Sequence, residues 1–134
     1  MQAPAQLQAT IELLDDIAAT RYPADRTMAN YFKKRRYIGS KDKAVISEYF
    51  YTVLRNMGSY SWLLNDAGVA INSKHLCAVL LKDLGESLKS FFIDQQYAPG
   101  ELASTVEQAL VAISLQSLEQ APLWVKLNIP EWLH

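Results

Sequence analysis

The chain has little of what extracellular scaffolds and membrane proteins require. It contains one cysteine, Cys77, in 134 residues, which excludes an internal disulfide framework and a cysteine-rich zinc site. No apolar run approaches the roughly 18–20 residues that a membrane-spanning helix needs. The first twenty residues carry three acidic side chains and lack the positively charged N-terminal region of a secretory signal peptide. These absences predict a cytoplasmic domain without a membrane partner.

Recognisable catalytic motifs are also missing. The two histidines, His75 and His134, lack the paired spacing of a zinc site, and there is no G-x-S-x-G motif. Gly39-Ser40-Lys41 matches the end of a phosphate-binding loop whose upstream glycine is absent, so a helix cap explains it better. Cys77 lies on an apolar helical face, which favours a buried structural thiol. We therefore predict no catalytic residue, no metal site and no cofactor in this chain.

What is present is sufficient for one folded domain. Half of the residues are hydrophobic and the net charge is −1, which is atypical of disorder. Apolar residues recur every three or four positions, as in amphipathic helices. The pattern predicts an all-α bundle of about seven helices. The first two cover Pro4–Thr20 and Asp25–Arg35, and a central third helix begins at an N-cap, Ser40, and ends at Gly58-Ser59. The segment Leu123–Leu133 alternates like an extended strand.

Basic residues are concentrated in one part of the chain. The stretch Arg21–Arg55 holds nine basic and three acidic residues, a local charge of +6, while the remainder carries −7. Such asymmetry indicates a polyanionic partner, although a basic helix end that merely contacts water is the alternative. Tyr31, Tyr37 and Tyr51 are candidates to stack on unpaired bases if exposed, or else belong to the core or its rim. The candidate phosphate-binding residues are Lys33, Lys34, Arg35, Arg36, Lys41, Lys43 and Arg55.

The same stretch carries a family resemblance. Pro23–Arg26, Tyr31–Lys43 with its R-R-Y-x-G-S-K-D pattern, and Tyr51–Arg55 resemble the N-terminal NusB-like domain of RsmB/Sun-type (Nop/Sun family) bacterial RNA (cytosine-5) methyltransferases. The resemblance continues at Tyr97-Ala98-Pro99 and over Pro122–Leu133, and so spans nearly the whole chain.

The resemblance implies a larger parent protein. Residues 1–121 would form a NusB-like RNA-binding domain, and residues 122–134 a linker toward a methyltransferase domain absent from this chain. That domain would bind S-adenosylmethionine and supply the catalytic cysteines, so the resemblance assigns no catalytic role to Cys77. The residues expected to contact the catalytic domain are Trp124, Ile129, Trp132 and Leu133.

The expected function is therefore that of an accessory domain, which positions ribosomal RNA for an attached cytosine-5 methyltransferase. Two alternatives remain open. One is a protein-interaction module that docks on its own catalytic domain or on a ribosomal protein. The other is a stand-alone NusB-like antitermination factor.

Overall fold

The computed structural model describes residues 1–115, 118 and 121–127, with only the backbone of Trp124. The regular secondary structure of these residues is entirely helical and includes no β-strand, which confirms the all-α prediction. None of their helices is long and apolar enough to span a bilayer. A 3-10 helix covers Leu88–Ser90, and the α-helices are α1 (Ala3–Thr20), α2 (Ala24–Lys33), α3 (Ser40–Arg55), α4 (Met57–Asp66), α5 (Ser73–Asp83), α6 (Ser104–Ala112) and the four-residue α7 (Leu123–Lys126).

The most enclosed helix is α5 rather than α3, the helix predicted to be central. It packs against α1, α3, α4, α6 and the 3-10 helix, and every residue from Leu76 to Leu81 is buried. Because other helices pack on most sides of α5, the residues from Leu76 to Leu81 are apolar around the whole circumference of the helix. Asn72 is the N-cap of this helix, since its Oδ1 accepts a hydrogen bond from the His75 amide at 2.8 Å.

Three sequence predictions about local structure are wrong, two of them about helix ends. The N-cap of α3 is Gly39, and no side chain caps this end, so Ser40 is the first helical residue. Gly58 and Ser59 do not end a helix but lie within α4, where Ser59 Oγ donates to the Val125 carbonyl at 3.1 Å. Leu123–Lys126 is helical rather than extended, because α7 packs against α4. The remainder of the predicted extended segment, from 128 onward, lies outside the described residues.

Candidate nucleic-acid interface

A short connection between α2 and α3 brings two groups of cations to one end of the bundle. The chain leaves α2 at Lys33 and enters α3 at Ser40. Backbone hydrogen bonds of 3.0 Å, from the Arg35 amide to the Phe32 carbonyl and from the Ile38 amide to the Arg35 carbonyl, tighten this connection. Ile38 is buried and anchors it to the core. We call the six basic residues at this end of the bundle the basic surface: Lys33, Lys34, Arg35, Arg36, Lys41 and Lys43.

Four members of the basic surface are available to a ligand. Lys33, Lys34, Arg36 and Lys41 are exposed, and within the described part of the chain none of them forms an ion pair or a side-chain hydrogen bond. Lys43 is half-buried, with its Nζ 5.6 Å from the centre of the Phe32 ring. Unpaired exposed cations attract phosphates without first breaking an existing contact.

The acidic residue inside this surface has its charge partly compensated. Asp42 lies in the first turn of α3, where its Oδ1 accepts a hydrogen bond from Gln6 Nε2 at 3.0 Å and its Oδ2 accepts one from the amino group of Met1 at 3.3 Å. The Gln6 hydrogen bond is the main reason that the pKa of Asp42 lies below its ordinary value. Asp42 therefore opposes a bound phosphate less than an unpartnered carboxylate would.

Arg35 differs from its neighbours because its side chain is held by the fold. Its guanidinium lies 3.7 Å from the centre of the Tyr31 ring, and its Nη1 donates to the Tyr31 carbonyl at 3.2 Å. The Tyr31 hydroxyl donates to Glu12 Oε1 at 2.7 Å, and the same oxygen lies 4.0 Å from Arg35 Nη2. Burial, followed by the Glu12 hydrogen bond, raises the pKa of Tyr31. Arg35 therefore links α2 to α1 in addition to carrying charge.

Arg55 is not brought together with the other candidates. It ends α3, and fourteen residues of helix separate it from Lys41, which corresponds to about 21 Å along the axis. Its Nη2 lies 3.8 Å from Glu48 Oε1 and donates to Thr52 Oγ1 at 3.2 Å. Arg55 therefore lies outside the basic surface, which consists of the other six candidates.

The three candidate stacking tyrosines have different environments. Tyr31 is buried, and Tyr51 is half-buried with its hydroxyl donating to Asp25. Tyr37 is 77% exposed and directly follows Arg36. Of the three, only Tyr37 offers an open ring face next to the basic surface.

A groove beside Tyr37 was not identified from the sequence. It has a volume of about 580 Å³ and is lined by α1, by Tyr31 and Tyr37, and by Gln96 and Tyr97 of the loop before α6. A second cavity of about 300 Å³ lies against Tyr31 and Arg35. Periodicity could not reveal the groove because its walls come from three distant parts of the chain. The sequence signal closest to it is Tyr97-Ala98-Pro99, which forms part of the family resemblance.

The predicted interdomain contacts lie mostly outside the described residues. Ile129, Trp132 and Leu133 are among the residues not described, as is the side chain of Trp124. Next to them, Leu123 and Leu127 are each 57% exposed, while Val125 is buried against α4. The described residues of this segment therefore present the apolar side chains of Leu123 and Leu127 to solvent.

The remaining chemical candidates are structural. Cys77 is buried in α5, as predicted, and its burial raises the pKa of the thiol, which disfavours a reactive thiolate. Among the described residues no three histidine, cysteine, aspartate or glutamate side chains are grouped so as to hold a metal ion. Comparisons with protein families, curated proteins and solved structures find no significant match for this chain.

Proposed function

We propose that this chain is an RNA-binding accessory domain with a NusB-like bundle, which positions ribosomal RNA for a cytosine-5 methyltransferase domain of the same cytoplasmic parent protein. The observation that carries the proposal is the basic surface, where the α2–α3 connection gathers six cations at one end of the molecule. Residues of this surface are also those that most resemble the methyltransferase family.

The distribution of charge supports a polyphosphate ligand. Four of the six cations are exposed and unpaired within the described residues, and Asp42 between them is already hydrogen-bonded. The N-terminal end of α3, which has no side-chain cap, adds the positive end of a helix dipole to the same surface. Both features favour phosphate groups over neutral ligands.

The described residues lack the setting in which a Rossmann-like domain would hold S-adenosylmethionine. The Rossmann-like catalytic domain that the resemblance implies has a glycine-rich loop directly after a strand, whereas the described residues form no strand. On this proposal the methyltransferase domain of the parent protein would hold the cofactor, and no step of methyl transfer is assigned to the described residues.

A salt titration of RNA binding tests the proposal. We expect the affinity of the full chain for an unstructured dodecanucleotide RNA to fall steeply between 50 and 300 mM KCl. The logarithmic slope should approach about −4 if six phosphates are neutralised. The triple variant Lys33→Glu, Lys34→Glu and Arg36→Glu should reduce the slope by about 2. Arg35 stays unchanged in this variant because it also links α2 to α1.

The matched control reverses three exposed cations elsewhere: Arg55→Glu, Lys89→Glu and Lys126→Glu. It changes the net charge by the same amount, so a purely global charge effect would reduce both slopes equally. We expect the control variant to lose much less of the slope. Equal slopes for the two variants would contradict a localised surface, and absence of binding at 50 mM KCl would contradict RNA as the ligand.

A second candidate function has one observation in its favour. The exposed Leu123 begins α7 and the exposed Leu127 directly follows it, while Val125 between them is buried. Exposed apolar side chains of this kind are typical of a docking surface. A protein-interaction module that docks on its own catalytic domain would use this surface. Binding of the separately produced catalytic domain should then fail in a Leu123→Asp, Leu127→Asp variant, while the RNA titration stays as in the unmodified chain.

A further inference from the structure

We propose that the groove between Tyr37 and Tyr97 binds an unpaired nucleobase of the RNA whose phosphates contact the basic surface. This inference rests on the proposed function and deepens it, because phosphate contacts alone hold RNA without engaging its bases. The groove volume of about 580 Å³ lies within the range of about 300–1,000 Å³ that is usual for small-molecule sites.

Two exposed aromatic rings line this groove. Tyr37 is 77% exposed and Tyr97 is 73% exposed, although the tyrosines of the core are almost fully buried. Among the described residues, neither hydroxyl has a hydrogen-bond partner that would explain its position. Aromatic rings at the surface next to cations are the arrangement with which proteins hold single-stranded nucleic acid.

The backbone of Tyr97 gives independent support. The Ala98 amide donates to the Gln95 carbonyl at 3.1 Å, which closes a turn with Tyr97 at its third position, and the φ angle of Tyr97 is +66°. Turns with a positive φ at this position favour glycine, because a side chain is strained there. A bulky residue in this conformation is uncommon, and strain of this kind is often found where a side chain serves a binding site. The ring is thus held in the groove at a cost to the fold.

The polar lining suits the edge of a base. Gln8 and Gln96 line the groove, and a side-chain amide can donate to and accept from a base. Glu12 also lines it, but the Tyr31 hydroxyl and Gln8 Nε2 each donate to this carboxylate, at 2.7 and 3.3 Å. Its charge is therefore engaged within the protein, which reduces its repulsion of a nearby phosphate.

The groove adjoins the basic surface directly. Tyr37 follows Arg36 in the chain, and Tyr31, which lines the groove, has the Arg35 guanidinium 3.7 Å from the centre of its ring. A strand with a phosphate on Arg36 would therefore pass within reach of Tyr37. This proximity favours a nucleobase of the same RNA over a free aromatic metabolite.

Fluorescence anisotropy with two probes tests this inference. One probe is hexa-adenylate RNA, and the other is a hexameric ribose-phosphate oligomer of the same charge that lacks bases. We expect the unmodified chain to bind hexa-adenylate at least about ten-fold more tightly. Tyr37→Ala and Tyr97→Gly should each weaken hexa-adenylate binding about ten-fold, leaving the abasic oligomer and the salt slope unchanged. Tyr97→Phe should retain the affinity, and Tyr22→Ala, an exposed tyrosine outside the groove, should have no effect.

Thermal unfolding separates a binding role from a structural one. Glycine relieves the strain at position 97, so Tyr97→Gly should leave the melting temperature unchanged or raise it while base binding falls. A lowered melting temperature with unchanged hexa-adenylate affinity would overturn the inference. Equal affinity of the unmodified chain for both probes, with a steep salt dependence, would overturn it and leave the proposed function standing. Failure of both probes to bind at 50 mM KCl would overturn both proposals.

Discussion

Two buried tyrosines form the same hydrogen bond in different surroundings. Tyr60 of α4 donates to Asp83 Oδ2 of α5 at 2.6 Å, and Tyr31 of α2 donates to Glu12 Oε1 of α1 at 2.7 Å. Each bond joins two neighbouring helices, and each ring is at most 3% exposed. The surroundings differ because Tyr31 has a guanidinium over its ring and lies between two cavities, whereas Tyr60 lines neither of these cavities.

The comparison shows how one local arrangement serves two purposes. At Tyr60 the hydrogen bond satisfies a hydroxyl that would otherwise be desolvated, and the ring fills the core between α4 and α5. At Tyr31 the same bond also fixes a ring on which Arg35 rests, at the border of the basic surface. We expect Tyr60 to contribute mainly to the stability of the fold. We expect Tyr31 to contribute both to stability and to the position of the Arg35 guanidinium.

The largest difference should appear when the rings are removed. Tyr60→Ala should reduce the free energy of unfolding by about 3–5 kcal/mol, because it leaves a cavity in a closely packed core. Tyr31→Ala should cost at least about 1 kcal/mol less, since the adjoining groove and cavity let water and side chains fill the space. Urea unfolding followed by circular dichroism measures both values, and equal losses would contradict the distinction.

Alkaline pH should affect both sites in the same direction. Burial and the carboxylate hydrogen bond raise the pKa of Tyr31 and Tyr60 above the ordinary value of 10.0. The unfolded chain therefore loses these protons first, so the stability from each tyrosine is complete below pH 10 and is lost as pH rises toward the native pKa. The loss approaches about 1.4 kcal/mol per pH unit for each group.

The matched variants Tyr31→Phe and Tyr60→Phe should each make this decline shallower when urea unfolding is repeated between pH 9 and 11. A decline that is identical in both variants and in the unmodified chain would show that neither hydroxyl is linked to folding.

The sequence reveals the parts of this molecule that depend on neighbouring residues in the chain. Asn72 caps α5 through its own turn, and the spacing of apolar residues identifies the helices, so both are predictable. The α3–α4 boundary was missed because Gly58 and Ser59 look like a helix end, while Ser59 is stabilised by Val125, 66 residues away. Contacts between distant residues of this kind leave no local pattern.

The candidate site divides in the same way. The cations from Lys33 to Lys43 are predictable because they are close in sequence, and a short connection keeps them close in space. The contrast between buried Tyr31 and exposed Tyr37 was not predictable, because it depends on how α2 packs against α1. The groove requires α1, the α2–α3 connection and the loop at Tyr97 to meet, so only the tertiary structure reveals it.

The smallest effect should distinguish the geometry of Arg35 from its charge. Arg35→Lys keeps the charge but loses the planar group that stacks on Tyr31 and donates to its carbonyl, which should reduce the free energy of unfolding by about 1 kcal/mol. Arg36→Lys is the matched control, because Arg36 is exposed and has no such contact among the described residues, and it should leave stability unchanged. Neither variant should change the salt slope of RNA binding, since the number of cations is the same. If urea unfolding finds the two variants equally stable, the Arg35–Tyr31 contact contributes nothing beyond charge. The two cavities beside Tyr31 would then be the remaining difference between the surroundings of Tyr31 and Tyr60.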